Sequence, residues 1–292
     1  YTMAIFKRSW RLSIEIDGKV KTYQELNNDD ISLKIDFDIT SKVSNYSEGN
    51  ITIYNLSRDD MYFLSSCARI SANGGVFKQN KIQLECGYNG ELGLILSGNI
   101  FECSADFTSP DKKLNIKAQG NLTKNFTGDV AISLNGNVDL KDICQELTTK
   151  QKLILEYDKA IKPISQAGYS FLGTPKQMIN ELRKSFKDLW FYFSEDGETL
   201  KVQPKENATI KNPQKLSADT GLVGTPTPTQ YGIKATSLLN NNFKAGSWVT
   251  LESSRISQYN RTYYIREVKH KGTNQGNEWY SILDLSLNVM KA

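Results

Sequence analysis

The chain has 292 residues, 39% hydrophobic and 23% charged, with 7 prolines and no long biased tract, which excludes a disordered or fibrous protein and leaves room for two or three ordered domains. Its 36 basic and 32 acidic residues give a formal charge of +4, too small and too scattered for a nucleic-acid footprint. No apolar run approaches the roughly 18 residues of a membrane span and residues 1–16 hold no apolar signal core, so a soluble chain made in the cytoplasm, with no membrane insertion by itself, is expected.

Residues 31–39 read Ile-Ser-Leu-Lys-Ile-Asp-Phe-Asp-Ile, apolar at every odd position and polar at every even one. Period two predicts a half-buried strand with Ile31, Leu33, Ile35, Phe37 and Ile39 facing a core. Lys34, Asp36 and Asp38 then project from the other face, which is expected to serve assembly or line a channel rather than do chemistry. Gly49 and Asn50 are expected to turn the chain into a strand over 51–54. Ser57 with Asp60 forms an N-cap box for a short helix to residue 64. Strands follow at 81–88, 94–103 and 113–119, with Asn89-Gly90 as the hairpin turn between the first two. Residues 1–120 are therefore expected to form a first antiparallel β domain, a small barrel or sandwich.

The period changes after Gly120. Asp139 caps a predicted helix to residue 150, with Leu140, Ile143, Cys144 and Leu147 on one face. A strand is predicted over 153–157. Thr174-Pro175-Lys176-Gln177 then opens a second helix with a cap, a proline at the first helical position and a glutamine at the third; Met178, Ile179, Leu182 and Phe186 form its buried stripe. Segments 189–193 and 200–202, on either side of Glu195-Asp-Gly-Glu198, read as a β-hairpin, and the aromatic run Trp190 to Phe193 reads as packing rather than a ligand platform. Residues 121–218 thus make a middle α+β domain.

The densest Gly/Pro cluster, 219–228, is the best domain boundary. It is not a phosphate loop, because neither a Lys-Ser/Thr pair nor a helix pattern follows it. Strands are predicted at 232–239, 247–252, 262–270 and 279–286, forming a second β domain over 219–292. Lys81-Ile-Gln-Leu-Glu, Gly98-Asn-Ile-Phe-Glu and Lys113-Leu-Asn-Ile-Lys are echoed at nearly the same spacing by Trp248-Val-Thr-Leu-Glu, Ile265-Arg-Glu-Val-Lys and Tyr280-Ser-Ile-Leu-Asp. Two β units of similar plan are therefore expected, and three such chains would present six similar units around an axis. The fold class is α+β, mainly β.

Chemistry has few candidates. Cys67, Cys86, Cys103 and Cys144 are unevenly spaced and are expected to be free thiols. Neither a CxxC motif nor a His pair is present, so no metal is expected. His270, the sole histidine, is read as a surface strand residue rather than part of a catalytic triad.

Along nearly the whole chain, Asn50-Ile-Thr-Ile-Tyr-Asn-Leu-Ser57, Phe171-Leu-Gly-Thr-Pro175, Gly221-Leu-Val-Gly-Thr-Pro226, Leu238-Leu-Asn240 with Ala245-Gly246, and Tyr264-Ile-Arg-Glu-Val-Lys-His270 with Glu278-Trp-Tyr280 resemble, in order, the baseplate hub proteins of contractile-tailed bacteriophages. Related folds form the base of type VI secretion spike proteins. The resemblance implies a structural virion protein, not an enzyme and without cofactors. It would be a homotrimer whose two barrel-like, tail-tube-related domains per subunit form a pseudo-sixfold ring. That ring would adapt the sixfold tail tube to the threefold central spike and leave a channel for DNA ejection. Implied partners are further copies of the chain, tail tube proteins, the central spike and other baseplate proteins. DNA would pass transiently without specific binding, in the tail baseplate of a virion assembled in the host cytoplasm. Any spike or lysozyme module is expected on another polypeptide.

Segment charges of −1, +2 and +3 for residues 1–120, 121–218 and 219–292 suit subunit contacts better than gripping DNA. If the polar face lines a lumen, Asp36 and Asp38 would repel phosphate. A tail-associated peptidoglycan hydrolase is the enzymatic alternative, with Glu146, Glu156 and Asp158 its sole carboxylate cluster; it would need a raised-pKa acid beside a second carboxylate. A receptor- or carbohydrate-binding module is a third reading, although the 14 Tyr and 4 Trp are spread along the chain rather than gathered in one loop.

Overall fold

The computed structural model describes residues 6–16, 18–24, 33–43, 47–65, 80–108, 110–120, 129–194, 199–206 and 209–287. The first stretch forms β1 (Arg8–Ile16), β2 (Lys19–Gln24), β3 (Ile35–Lys42), β4 (Glu48–Tyr54), helix α1 (Arg58–Ser65), β5 (Asn80–Tyr88), β6 (Glu91–Asp106) and β7 (Lys113–Gly120). In β3, Ile35, Phe37 and Ile39 are buried and the residues between them half-buried, as the alternation predicts; Ile31 lies outside the described residues. Asn89 and Gly90 take φ of +53° and +85°, the left-handed pair that a tight hairpin needs. Gly49 and Asn50 are not a turn. Both lie within β4, and a Cβ at Gly49 would fall 2.6 Å from Leu96 Cδ2 and 2.8 Å from Ile39 Cδ1, so this glycine serves packing rather than reversal.

The middle stretch contains β8 (Val130–Asp139), α2 (Leu140–Gln151), β9 (Ile154–Tyr157), β10 (Ser165–Gly173), α3 (Pro175–Ser185), β11 (Leu189–Phe193) and β12 (Thr199–Pro204). Both predicted caps form. Asp139 accepts from the Lys141 N–H at 2.8 Å, and Thr174 and Gln177 make a reciprocal capping box; such caps contribute about 1 kcal/mol each. The two helices bury Leu140, Ile143, Cys144, Leu147, Met178, Ile179 and Leu182 with Phe191, Leu200 and Val202 in a core of their own. Phe186 sits at the helix C-cap and is half-buried. Strands β11 and β12 pair as an antiparallel hairpin, while its expected turn, 195–198, lies outside the described residues.

The last stretch forms β13 (Gln214–Ser217), β14 (Leu222–Pro228), β15 (Gly232–Leu238), β16 (Trp248–Glu252), β17 (Arg261–Thr273) and β18 (Trp279–Ser286). Thus the Gly/Pro cluster is itself largely a strand, entered through Gly221 at φ +102°. The first and last stretches join in one 13-stranded sheet of order β14-β15-β18-β17-β3-β4-β7-β6-β5-β1-β2, with β16 beside β17 and β13 beside β16. The path is open, so the described strands do not close into barrels. Nor is pairing wholly antiparallel, because β9–β12 and β13–β16 run parallel.

Within this sheet one strand order occurs twice. β3-β4-β7-β6-β5 is matched by β14-β15-β18-β17-β16, each pair antiparallel in both runs. In both runs the long strand carries a one-residue bulge, between Ile100 and Glu102 in β6 and between Ile265 and Glu267 in β17. Aligning the bulges sets Trp248 on Lys81 and Tyr280 on Lys113, as the segment echo has them. Its third pair was two residues out of step: Gly98-Asn-Ile-Phe-Glu corresponds to Tyr263-Tyr-Ile-Arg-Glu, not to Ile265 onward. The sixth strand differs, as β1 lies antiparallel to β5 but β13 parallel to β16.

Candidate functional site

The two runs meet where β3 pairs with the second half of β17, from Glu267 opposite Lys42 to Thr273 opposite Asp36. All three sequence-predicted face residues gather at this seam. Asp38 is bridged across it by Lys269 at 2.7 Å, and Lys42 meets Glu267 at 3.2 Å. Asp36 accepts from the Tyr54 hydroxyl at 2.6 Å, and Lys34 lies 3.6 Å from Asp36 and 4.2 Å from the centre of the Tyr54 ring. The hydrogen bond to Asp36, helped by burial, pushes the Tyr54 pKa up to about 12. Charges of both signs therefore lie along one sheet face, each held by a neighbour, with the ion pairs half open to water and worth little individually.

The opposite face is closed. Phe37 and Trp279 pack edge to face, 5.1 Å between ring centres, and both rings lie over Gly272, where a Cβ would fall 2.6 Å from Phe37 and 2.7 Å from Trp279. Glycine is required there by close approach, its role being to let two aromatic rings cover the strand. His270 is not a surface residue. It is 2% exposed, paired opposite Ile39, with Nδ1 2.9 Å from Ser281 Oγ. Burial, reinforced by Lys244, lowers its pKa to about 4, so the ring is neutral at pH 7. Beyond the ladder, Asn274 donates to the Leu33 carbonyl at 2.8 Å and accepts from the Ile35 N–H at 2.9 Å, and the Arg8 guanidinium donates to the Thr273 carbonyl at 2.6 Å. Trp279 and Leu239 complete the hydrophobic core of the first run. Polar sequence positions far apart in the chain thus lock the seam, and no local pattern announces them.

Each hydrolase candidate is held by a partner of another kind. Glu146 pairs with Lys150 on its own helix at 3.4 Å, and Glu156 pairs with Lys201 at 3.6 Å. Asp158 is buried, which opposes its ionisation, yet the Thr209 hydroxyl and the N–H groups of Ala160 and Thr209 hold its pKa below the usual carboxylate range. That is the reverse of the raised acid that glycoside hydrolysis needs. Cys86 and Cys144 are buried and Cys103 half-buried, all three free thiols; Cys67 lies outside the described residues. Among the described residues no three His, Cys, Asp or Glu side chains form a metal-holding group, and no helix is long and apolar enough to cross a membrane. Trp190 to Phe193 pack: Phe191 fills the middle core, while Tyr192 joins Val43, Trp248 and Tyr264 in a cluster linking the middle stretch to the last run. There Gln203 donates to the Tyr264 hydroxyl at 2.8 Å.

A family model described as "Baseplate hub gp41" matches residues 10–285. No curated protein matches by sequence. Among solved structures, a tail protein from Neisseria meningitidis MC58 is 10% identical, with a TM-score of 0.57 over 94% of this chain and 96% of its own. The 43 kDa tail protein of prophage MuSo2 from Shewanella oneidensis is also 10% identical, with a TM-score of 0.55 over 95% and 97%. The E. coli c3393 protein, a component of the type VI secretion system described as similar to T4 bacteriophage tail proteins gp27 and gp5, is 11% identical, with a TM-score of 0.56 over 87% and 73%.

Proposed function

The chain belongs to the baseplate hub gp41 family, and on that premise we propose that it is a non-enzymatic structural component of the virion tail, a homotrimeric hub. In this reading residues 1–120 and 219–292 are tail-tube-related domains and residues 121–218 a middle domain that braces them. Three chains set six similar runs around one axis, matching a sixfold tube on one side and a threefold spike on the other. A central channel lets DNA pass, and Lys34, Asp36 and Asp38 face that channel or the assembly. The hub is built in the host cytoplasm with tube, spike and other baseplate proteins. The single observation that carries the reading is the twice-used strand order with its matching bulges, because a structural repeat within one chain is what converts threefold into sixfold symmetry. Native mass spectrometry and averaged particle images of the purified chain test it. A trimeric ring with six similar lobes is expected, and a compact particle without lobes would refute the adaptor role.

A further inference from the structure

The repeat also specifies how one chain meets the next. Within the chain, β3, the outer strand of the first run, adds to the edge that β17 exposes beyond the start of β16. The corresponding outer strand of the second run is β14, and the corresponding edge belongs to β6. Pairing of β5 with β6 ends at Asn80 opposite Ile100, so residues 101–106 of β6 have no partner strand on that side among the described residues. Among the described residues the outer side of β14 also has no partner strand.

Resting on the hub reading above, we infer that β14 of one copy adds to the end of the β6 edge of a second copy, at residues 104–106 and the two that follow, repeating between chains the seam that β3 and β17 make within one. The contact is head to tail, and three such joints alternate with three internal seams to close a ring rather than grow a filament. The register follows from the bulge alignment. Lys269 corresponds to Ser104, and Thr40 corresponds through Glu48 and Gly232 to Thr229. Since Lys269 stands opposite Thr40, Ser104 of one copy stands opposite Thr229 of the next.

Side chains at both edges suit the joint. Phe107 is 41% exposed, with its ring 5.5 Å from that of Tyr62, and Val223 is 37% exposed, apolar groups on the two stretches that the register sets face to face. Prolines shape the hydrogen bonding. Pro228 corresponds to Ile39, which has the parity of Ile35 and Val43, whose backbone groups bond toward β17 and the residue after it. At Pro228 the β14 edge therefore accepts but cannot donate, which discourages indiscriminate strand addition. The joint between chains thus has fewer ladder bonds than the internal seam and depends more on burying Phe107 and Val223.

Cysteine pairing tests the inference on the full chain. Directly opposed strand residues lie within disulfide range, so the double variant S104C/T229C in a C103S background is oxidised and run on non-reducing gels. The expected result is covalent dimer and trimer, absent in either single variant and reversed by reductant. V223D, at a partly exposed position of β14, is expected to weaken association by roughly tenfold or more, from the lost apolar burial. A wild-type trimer whose double variant gives no intermolecular disulfide, or a V223D chain that associates as wild type, would overturn the joint and leave the hub reading standing. A wild-type chain that is monomeric by native mass would overturn both.

Discussion

His270 makes the internal seam sensitive to acid, and the size of the effect follows from its burial. In the unfolded chain its pKa is the ordinary 6.5, whereas in the fold it is lowered to about 4. The native state therefore binds the proton less well. Above pH 6.5 both states carry a neutral ring and the residue imposes no pH dependence. As pH falls through 6.5 the unfolded state gains a proton that the fold refuses, and stability declines by up to about 1.4 kcal/mol per pH unit until the folded ring titrates near pH 4. The total is about 3 kcal/mol, a large fraction of the 5–15 kcal/mol typical of a folded domain. Replacing the ring by glutamine, H270Q, keeps a hydrogen-bonding group beside Ser281 and removes the titration. Denaturant unfolding of both proteins between pH 7.5 and 4 measures the difference: the wild type should lose about 3 kcal/mol more than H270Q. Parallel pH curves would refute the account of His270 as a buried neutral residue.

Three further outcomes follow from the same geometry. G272V should destabilise the seam by about 1–3 kcal/mol, because its side chain must displace Phe37 or Trp279 in a filled core; unchanged thermal unfolding would contradict the packing described. Reversing Asp36 and Asp38 to lysine should lower folding stability by about 1–3 kcal/mol, since it removes the acceptor of the Tyr54 hydroxyl and the pairs with Lys34 and Lys269. The same variant should impair DNA delivery by assembled particles if the face lines the channel, and infection at the wild-type rate would exclude that placement. In the native protein Cys86 and Cys144, whose thiol pKa values are raised by burial, should resist thiol reagents, while the denatured chain should titrate all 4 cysteines; a denatured count of two would reveal a disulfide.

Local chemistry was readable from the residues and long-range chemistry was not. The strand at Ile35 to Ile39, the Asn89-Gly90 turn and the caps at Asp139 and Thr174 are set by neighbours in sequence, and they stand where the pattern places them. Strand β1 carries the same period-two signal in its sequence, with Trp10, Leu12, Ile14 and Ile16 buried at alternate positions. His270 departs from its sequence expectation for a physical reason. Ile265 faces inward, and strict alternation from it would point His270 outward, but the bulge at Arg266 shifts the parity so that Val268, His270 and Gly272 face the core. The bulge has no sequence mark of its own and shows only once two strands pair. Gly49 reads as a turn in sequence because glycine signals reversal more often than close packing. Of the site, the polar face was legible as a face, but its partners Lys269, Glu267 and Asn274 lie more than 200 residues away and are brought to it only by the seam between the two runs.

The central claim is that one chain carries two similar strand runs which, in three copies, make a ring of six. Averaged images of the purified hub along its axis, with the native mass measured on the same sample, test it most directly. The account predicts a mass three times the 32.9 kDa of one chain and a ring of six similar lobes around an open centre. A trimer showing three lobes, with the first and last stretches in dissimilar surroundings, would contradict it.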